Sequence, residues 1–175
     1  MSESRVAILM GSASDKDVMA EAGKALAEFG IGFEAHVMSA HRTPNRVDEF
    51  VGAAYDRGIR VFIAGAGKAA HLAGVVASKT CLPVVGVPMK TSDLGGLDSL
   101  LSTVQMPPGI PVATTAIGKS GAKNAGLLAV SILAAGEPDL YRKLCAYREQ
   151  LATKVADTDE ALQAEDWIVN QETQA

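Results

Sequence analysis

A chain of 175 residues that is 48% hydrophobic but only 5% aromatic predicts one domain with a close-packed, aliphatic interior. The net charge of −4 gathers at one end: residues 156–175 carry six acidic side chains and no Lys or Arg, leaving 16 basic against 14 acidic ones in residues 1–155. A body so nearly neutral has no field for a polyanion, which excludes nucleic acid as the main partner and makes any phosphate site local.

Along the chain, short apolar runs alternate with helical periodicity. Residues 6–10 (VAILM) read as a buried parallel strand. After Gly11-Ser-Ala-Ser14, residues 15–29 place Val18, Met19, Ala22, Leu26 and Phe29 on one helical face. A second strand spans 33–38, and Pro44 opens a helix to about Arg57. The third strand, 60–64, leads through Gly65-Ala-Gly-Lys68 into a helix to about Lys79. A strand at 83–87, a helix at 94–104, a strand at 112–116 and a small-residue helix at 119–135 follow. The pattern closes with a polar helix at about 139–155, so one domain covers 1–155 and residues 156–175 form an acidic, poorly ordered tail. Strands alternating with helices predict an α/β fold, a parallel five-stranded sheet in a three-layer αβα sandwich with an extra C-terminal helix.

Ligands on such sheets bind at the carboxyl ends of the strands, so the first three strand-to-helix loops are where chemistry belongs. In the first loop, Gly11 permits close approach, and the Ser12, Ser14 and Asp15 side chains read as a ribose- and phosphate-binding cluster or, with Ser14 or Asp15 satisfying the helix end, as a plain helix cap. It is neither a GxGxxG fingerprint nor a Walker motif. The second loop, Ser39-Ala-His-Arg-Thr-Pro44, sets an imidazole that exchanges protons near neutrality beside a guanidinium suited to phosphate. This favours His41 as acid/base and Arg42 as anchor. The third loop, Gly65-Ala-Gly-Lys-Ala-Ala-His-Leu72, is rich in free N–H groups. There His71 reads equally as a ligand contact or as a structural residue at a helix start.

The three histidines have no acidic partners at metal-ligand spacing, and no GxSxG elbow occurs. No metal or cofactor is therefore expected. Cys81 and Cys145, without CxxC spacing, read as buried thiols in a reducing compartment. No apolar run reaches membrane-spanning length and residues 1–5 are not a signal peptide, so the expected location is the cytoplasm.

Taken together, Met10-Gly-Ser-x-Ser-Asp15, Ser39-Ala-His-Arg-Thr-Pro44 and Ala64-Gly-Ala-Gly-x-Ala-Ala-His-Leu72 resemble the N5-carboxyaminoimidazole ribonucleotide mutases. The resemblance continues through Leu82-Pro-Val-x-Gly-Val-Pro88, Gly96-x-Asp-Ser99, Val104-Gln-Met-Pro107, Gly109-Ile-Pro-Val-Ala113 and Asn124-Ala-Gly-Leu-Leu128, covering about residues 5–150. It implies a flavodoxin-like homo-octamer of de novo purine synthesis that moves a carboxylate from the exocyclic nitrogen to ring carbon four, without metal or cofactor. On this resemblance His41 is the general acid/base. Gly11, Ser12, Ser14, Asp15, Ser39 and Arg42 hold the nucleotide, and Gly67, Ala69, His71 and Leu72 cover the reacting end. The related direct carboxylase typically has Lys after the His and lacks the Ala-Ala-His segment, so Arg42 and His71 favour the mutase. A non-catalytic nucleotide-binding module is the other alternative. The chain departs from the mutase pattern at Lys68, where Gly is usual, at Ala73, where Pro is usual, and over Lys90-Thr-Ser-Asp-Leu94.

Overall fold

The computed structural model describes residues 4–165 and 168. Three strands, β1 (Val6–Met10), β3 (Val61–Ala66) and β4 (Val84–Pro88), are continuous apolar runs because helices cover both of their faces. Alternation along each strand divides its side chains between two cores. Val6, Ile8, Ile63 and Val85 face α1 (Lys16–Glu28), α5 (Lys119–Ala134) and the first turns of α6 (Pro138–Gln163). Ala7, Leu9, Phe62 and Val84 face α2 (Pro44–Gly52) and α3 (Leu72–Ala77). Each fully buried Ile, Leu or Phe side chain contributes about 1.5–3 kcal/mol relative to exposure.

The sheet is wholly parallel in the order β2-β1-β3-β4-β5, with β2 (Phe33–Val37) and the two-residue β5 (Ala113–Thr114) at its edges. α4 (Leu97–Val104) connects β4 to β5. This is the flavodoxin-like order, and the chain reverses its direction of travel across the sheet between β1 and β3. Register makes that switch point productive. Met10 at the end of β1 pairs with both Val37 and Gly65, so three strand-to-helix loops leave the sheet at one level.

Small residues set the depth of the larger core. A Cβ built on Gly126 of α5 would lie 2.7 Å from the Ala22 carbonyl oxygen of α1. Helices α1 and α5 therefore touch backbone to side chain along an alanine stripe, and any side chain at 126 would force them apart.

Several boundaries differ from the sequence reading. α2 ends at Gly52 rather than near Arg57, because residues 53–58 form successive turns before β3. α6 continues to Gln163, so residues 156–163 extend the helix instead of opening the acidic tail at 156. Charge composition hid good helix formers there (Ala156, Glu160, Ala161, Leu162), and Thr158 bonds its hydroxyl back to the Lys154 carbonyl. Most of the remaining expected tail lies outside the described residues. Of the two cysteines expected to be buried, Cys81 is exposed just before β4 and Cys145 is half-buried on α6.

Candidate active site

The carboxyl ends of β1 to β4 open into one cavity of about 600 Å³. Gly11, Ser12, Ser14 and Asp15 line it from the first loop, Ser39, His41 and Arg42 from the second, and Gly67, Ala69, His71 and Leu72 from the third. Every residue singled out from sequence is thus brought to one place.

The second loop is built around Ser39. Its carbonyl accepts from the Thr43 N–H at 2.9 Å, its own N–H donates to Thr43 Oγ1 at 2.9 Å, and its hydroxyl accepts from the Arg42 N–H at 3.1 Å. This tight cage precedes Pro44 at the first turn of α2 and fixes the directions of His41 and Arg42. Arg42 reaches across to the first loop, where its Nη2 donates to the Gly11 carbonyl at 2.9 Å. Its Nη1 has no partner among the described residues and is available to an anion.

The decisive contact joins the second loop to the third. His41 Nε2 lies 2.8 Å from His71 Nδ1, with the rings nearly perpendicular at 79°. One proton occupies that contact, so one ring donates and the other accepts. Each ring thereby restricts the tautomer and orientation of the other. Both rings are solvent-accessible at the cavity wall. His71 stands at the start of α3 without capping it through its side chain; it lines the cavity and touches the other candidate imidazole directly.

In the first loop Ser12 caps a single 3₁₀ turn, Ala13–Asp15, its hydroxyl accepting from the Ser14 N–H and the Ser14 hydroxyl. Partial burial pushes the Asp15 carboxyl above its ordinary range, only partly offset by hydrogen bonds from Ser14 and the Ser12 backbone. The cap is made by Ser12 rather than by Ser14 or Asp15, and Asp15, at the N-cap position of α1, makes no side-chain cap bond.

A fourth loop was not anticipated. Met89, Lys90, Thr91 and Ser92, after β4, also line the cavity. The sheet rule that selected the first three loops applies equally to this one, but its residues form no familiar motif. Behind it stands buried Ser99 on α4, whose hydroxyl accepts from the Lys68 N–H at 2.9 Å. Gly67 is pressed against this wall: a Cβ there would meet the Met89 Cβ at 3.3 Å. Among the described residues no group of three His, Cys, Asp or Glu side chains is placed to hold a metal ion. No helix of the described residues is long and apolar enough to cross a membrane.

A family model for AIR carboxylase matches residues 5–154. The chain belongs to this family. Within it, the chain is 55% identical over 159 residues to the N5-carboxyaminoimidazole ribonucleotide mutase of Thermotoga maritima, covering 91% of this chain and 92% of that protein. It is 54% identical over 157 residues to the mutase of the same name from Bacillus subtilis, covering 90% and 97%. Among solved structures, Treponema denticola PurE superposes with a TM-score of 0.81 at 29% identity, covering 90% of this chain and 98% of that one. The family match spans all four loops of the cavity.

Proposed function

We propose that the chain is an N5-carboxyaminoimidazole ribonucleotide mutase of purine biosynthesis, with the cavity as its active site and His41 as its proton carrier. The observation that carries this reading is the His41–His71 contact at the rim of a cavity that also holds Arg42 and the Ser12–Asp15 cluster. The name shared by relatives at 54–55% identity supports the same substrate.

The nucleotide's phosphate and ribose bind along the first two loops, where Arg42 supplies a planar cation and the serine hydroxyls and loop N–H groups supply donors. The base then lies toward His41 and the third loop. Protonated His41 gives its proton to the exocyclic nitrogen as the carbamate N–C bond breaks, releasing CO2 and a free amine. Ring carbon four attacks the CO2, a new C–C bond forms, and neutral His41 removes the proton that carbon four carried. The proton lent in the first half is regained in the second, so no cofactor or external acid is consumed. His71 holds the His41 ring in its working orientation.

Water must be kept away while CO2 is free, and Ala66, Ala69, Leu72 and Met89 give the cavity an apolar lining for that step. The reading also carries a cytoplasmic homo-octamer. Supporting apolar side chains stand exposed at Phe33 and Val37 on the edge strand and at Leu151 and Val155 on α6, and a monomer by mass in solution would contradict it.

The test supplies the carbamate nucleotide, and in parallel aminoimidazole ribonucleotide with bicarbonate and no ATP. Rapid conversion of the carbamate, with slow conversion of the second pair, is expected. The reverse preference would make the protein a direct carboxylase. His41→Asn should abolish turnover while nucleotide binding survives; retained turnover would remove His41 from the mechanism, and a wild type that binds the nucleotide without converting it would be a binding module.

A further inference from the structure

Lys68 is the only non-glycine residue with a positive φ (+58°) among the described residues, and it lies three residues before His71 on the lip of the cavity. That conformation disfavours any side chain, and glycine would adopt it freely. Its backbone accounts for the shape: the N–H donates to buried Ser99 Oγ at 2.9 Å, and the carbonyl accepts from Ser102 Oγ at 3.3 Å. Backbone needs alone would be met better by glycine, so a lysine here points to a use for its side chain. That side chain reaches the neighbouring loop: Lys68 Nζ meets Asp93 Oδ2 at 2.8 Å, and Asp93 belongs to the β4–α4 loop, whose residues Lys90, Thr91 and Ser92 line the same cavity.

The far partner is also held. Thr91 Oγ1 donates to Asp98 Oδ1 at 2.9 Å and accepts from the Gly96 N–H at 3.2 Å, which fixes the loop just before Asp93. Pairing with Asp93 raises the Lys68 pKa, and pairing with Lys68 lowers that of Asp93, so both are charged across the neutral range.

We propose that the Lys68–Asp93 pair is a latch that holds the third loop against the fourth and limits escape of CO2 during turnover, an inference that rests on the mutase reading. Substrate and product are anions with charged anchors elsewhere in the cavity. CO2 is small and neutral, so closure alone retains it. The latch therefore governs how released CO2 divides between recapture and loss, rather than how tightly the nucleotide binds. Both side chains are more than 60% exposed, so the pair is weak and salt-sensitive, as a latch that opens every cycle must be. An exposed pair of this kind changes the open population by about two- to fivefold.

The experiment starts from nucleotide labelled in its carbamate carbon, turned over in an unlabelled bicarbonate pool, and reads the label kept in the product. Lys68→Gly and Asp93→Asn should each lose about two to five times more label than the wild type. The wild type should lose more as salt is raised, while the two variants should hardly respond. Lys68→Gly relieves the backbone, so its melting temperature should equal or exceed that of the wild type, which separates leakage from unfolding. Asp93→Glu, which keeps the charge, should retain label better than Asp93→Asn. Active variants that keep as much label as the wild type would overturn the latch alone. Failure of the wild type to convert the carbamate would overturn the mutase reading, and the latch with it.

Discussion

Substitutions at His71 separate a residue that does chemistry from one that aims it. The contact is a single hydrogen bond, His41 Nε2 to His71 Nδ1 at 2.8 Å, between side chains on loops thirty residues apart. If His71 only orients His41, His71→Ala removes one neutral hydrogen bond, worth about 1 kcal/mol, and turnover should fall about fivefold. Removing the acid/base itself, as in His41→Asn, should cost about 10²–10⁴-fold. The atom used by His71 sharpens the expectation. Nδ1 is bonded to Cγ, as are the amide atoms of asparagine, so His71→Asn restores a donor and an acceptor near the same point. The amide of glutamine sits one bond further out. The expected order of kcat is wild type, Asn, then Ala and Gln together, with KM for the nucleotide little changed. Steady-state kinetics on the carbamate nucleotide give the order, and circular dichroism checks that each variant folds. A kcat for His71→Ala as low as that of His41→Asn would refute the orienting role and make His71 a proton carrier. Equal values for Asn and Ala would refute the assignment of the contact to Nδ1.

Two further expectations follow from neighbouring groups. Arg42→Ala removes a charge-assisted contact to the phosphate worth about 1.5–3 kcal/mol and should raise KM about ten- to a hundredfold, measured by initial rates; an unchanged KM would remove Arg42 as the anchor. The Asp15 carboxyl titrates above its ordinary value of 3.8, so the folded state holds this proton where the unfolded state has lost it, and the stability it contributes declines as pH rises above 3.8. Asp15→Asn should therefore unfold at higher denaturant than the wild type at neutral pH, with the gain vanishing in acid, while nucleotide affinity falls; a loss of stability at neutral pH would contradict the burial argument.

The strands that carry the site were legible because of what covers them. β1, β3 and β4 have helices on both faces, so they read as unbroken apolar runs and could be located without knowing the register. Residue types within the strand-to-helix loops then named the candidates, since an imidazole beside a guanidinium is chemically informative wherever it stands. The two-residue β5 was overdrawn as 112–116, because apolar residues near an edge look the same whether or not they pair. The end of α6 was misplaced for the opposite reason: acidic residues signal solvent, and a helix can run into solvent.

Distances across the site were not legible, and the function depends on them. Nothing in residues 39–42 or 67–72 states that two imidazoles touch. That follows from Met10 pairing with both Val37 and Gly65, a register set by the whole sheet. The fourth loop was missed because Lys90, Thr91 and Ser92 gain meaning only from lining the same cavity as that junction. Once assembled, the site shows what a packed core avoids. A carboxyl at Asp15 is held part-buried against its preference for ionisation, and Lys90 has no ion-pair partner among the described residues. One edge of Arg42 also lacks a bond among those residues. These open groups meet where four loops converge. A ligand that brings anionic oxygens and hydroxyls would satisfy them together, which is why the cavity's chemistry points to a phosphorylated sugar.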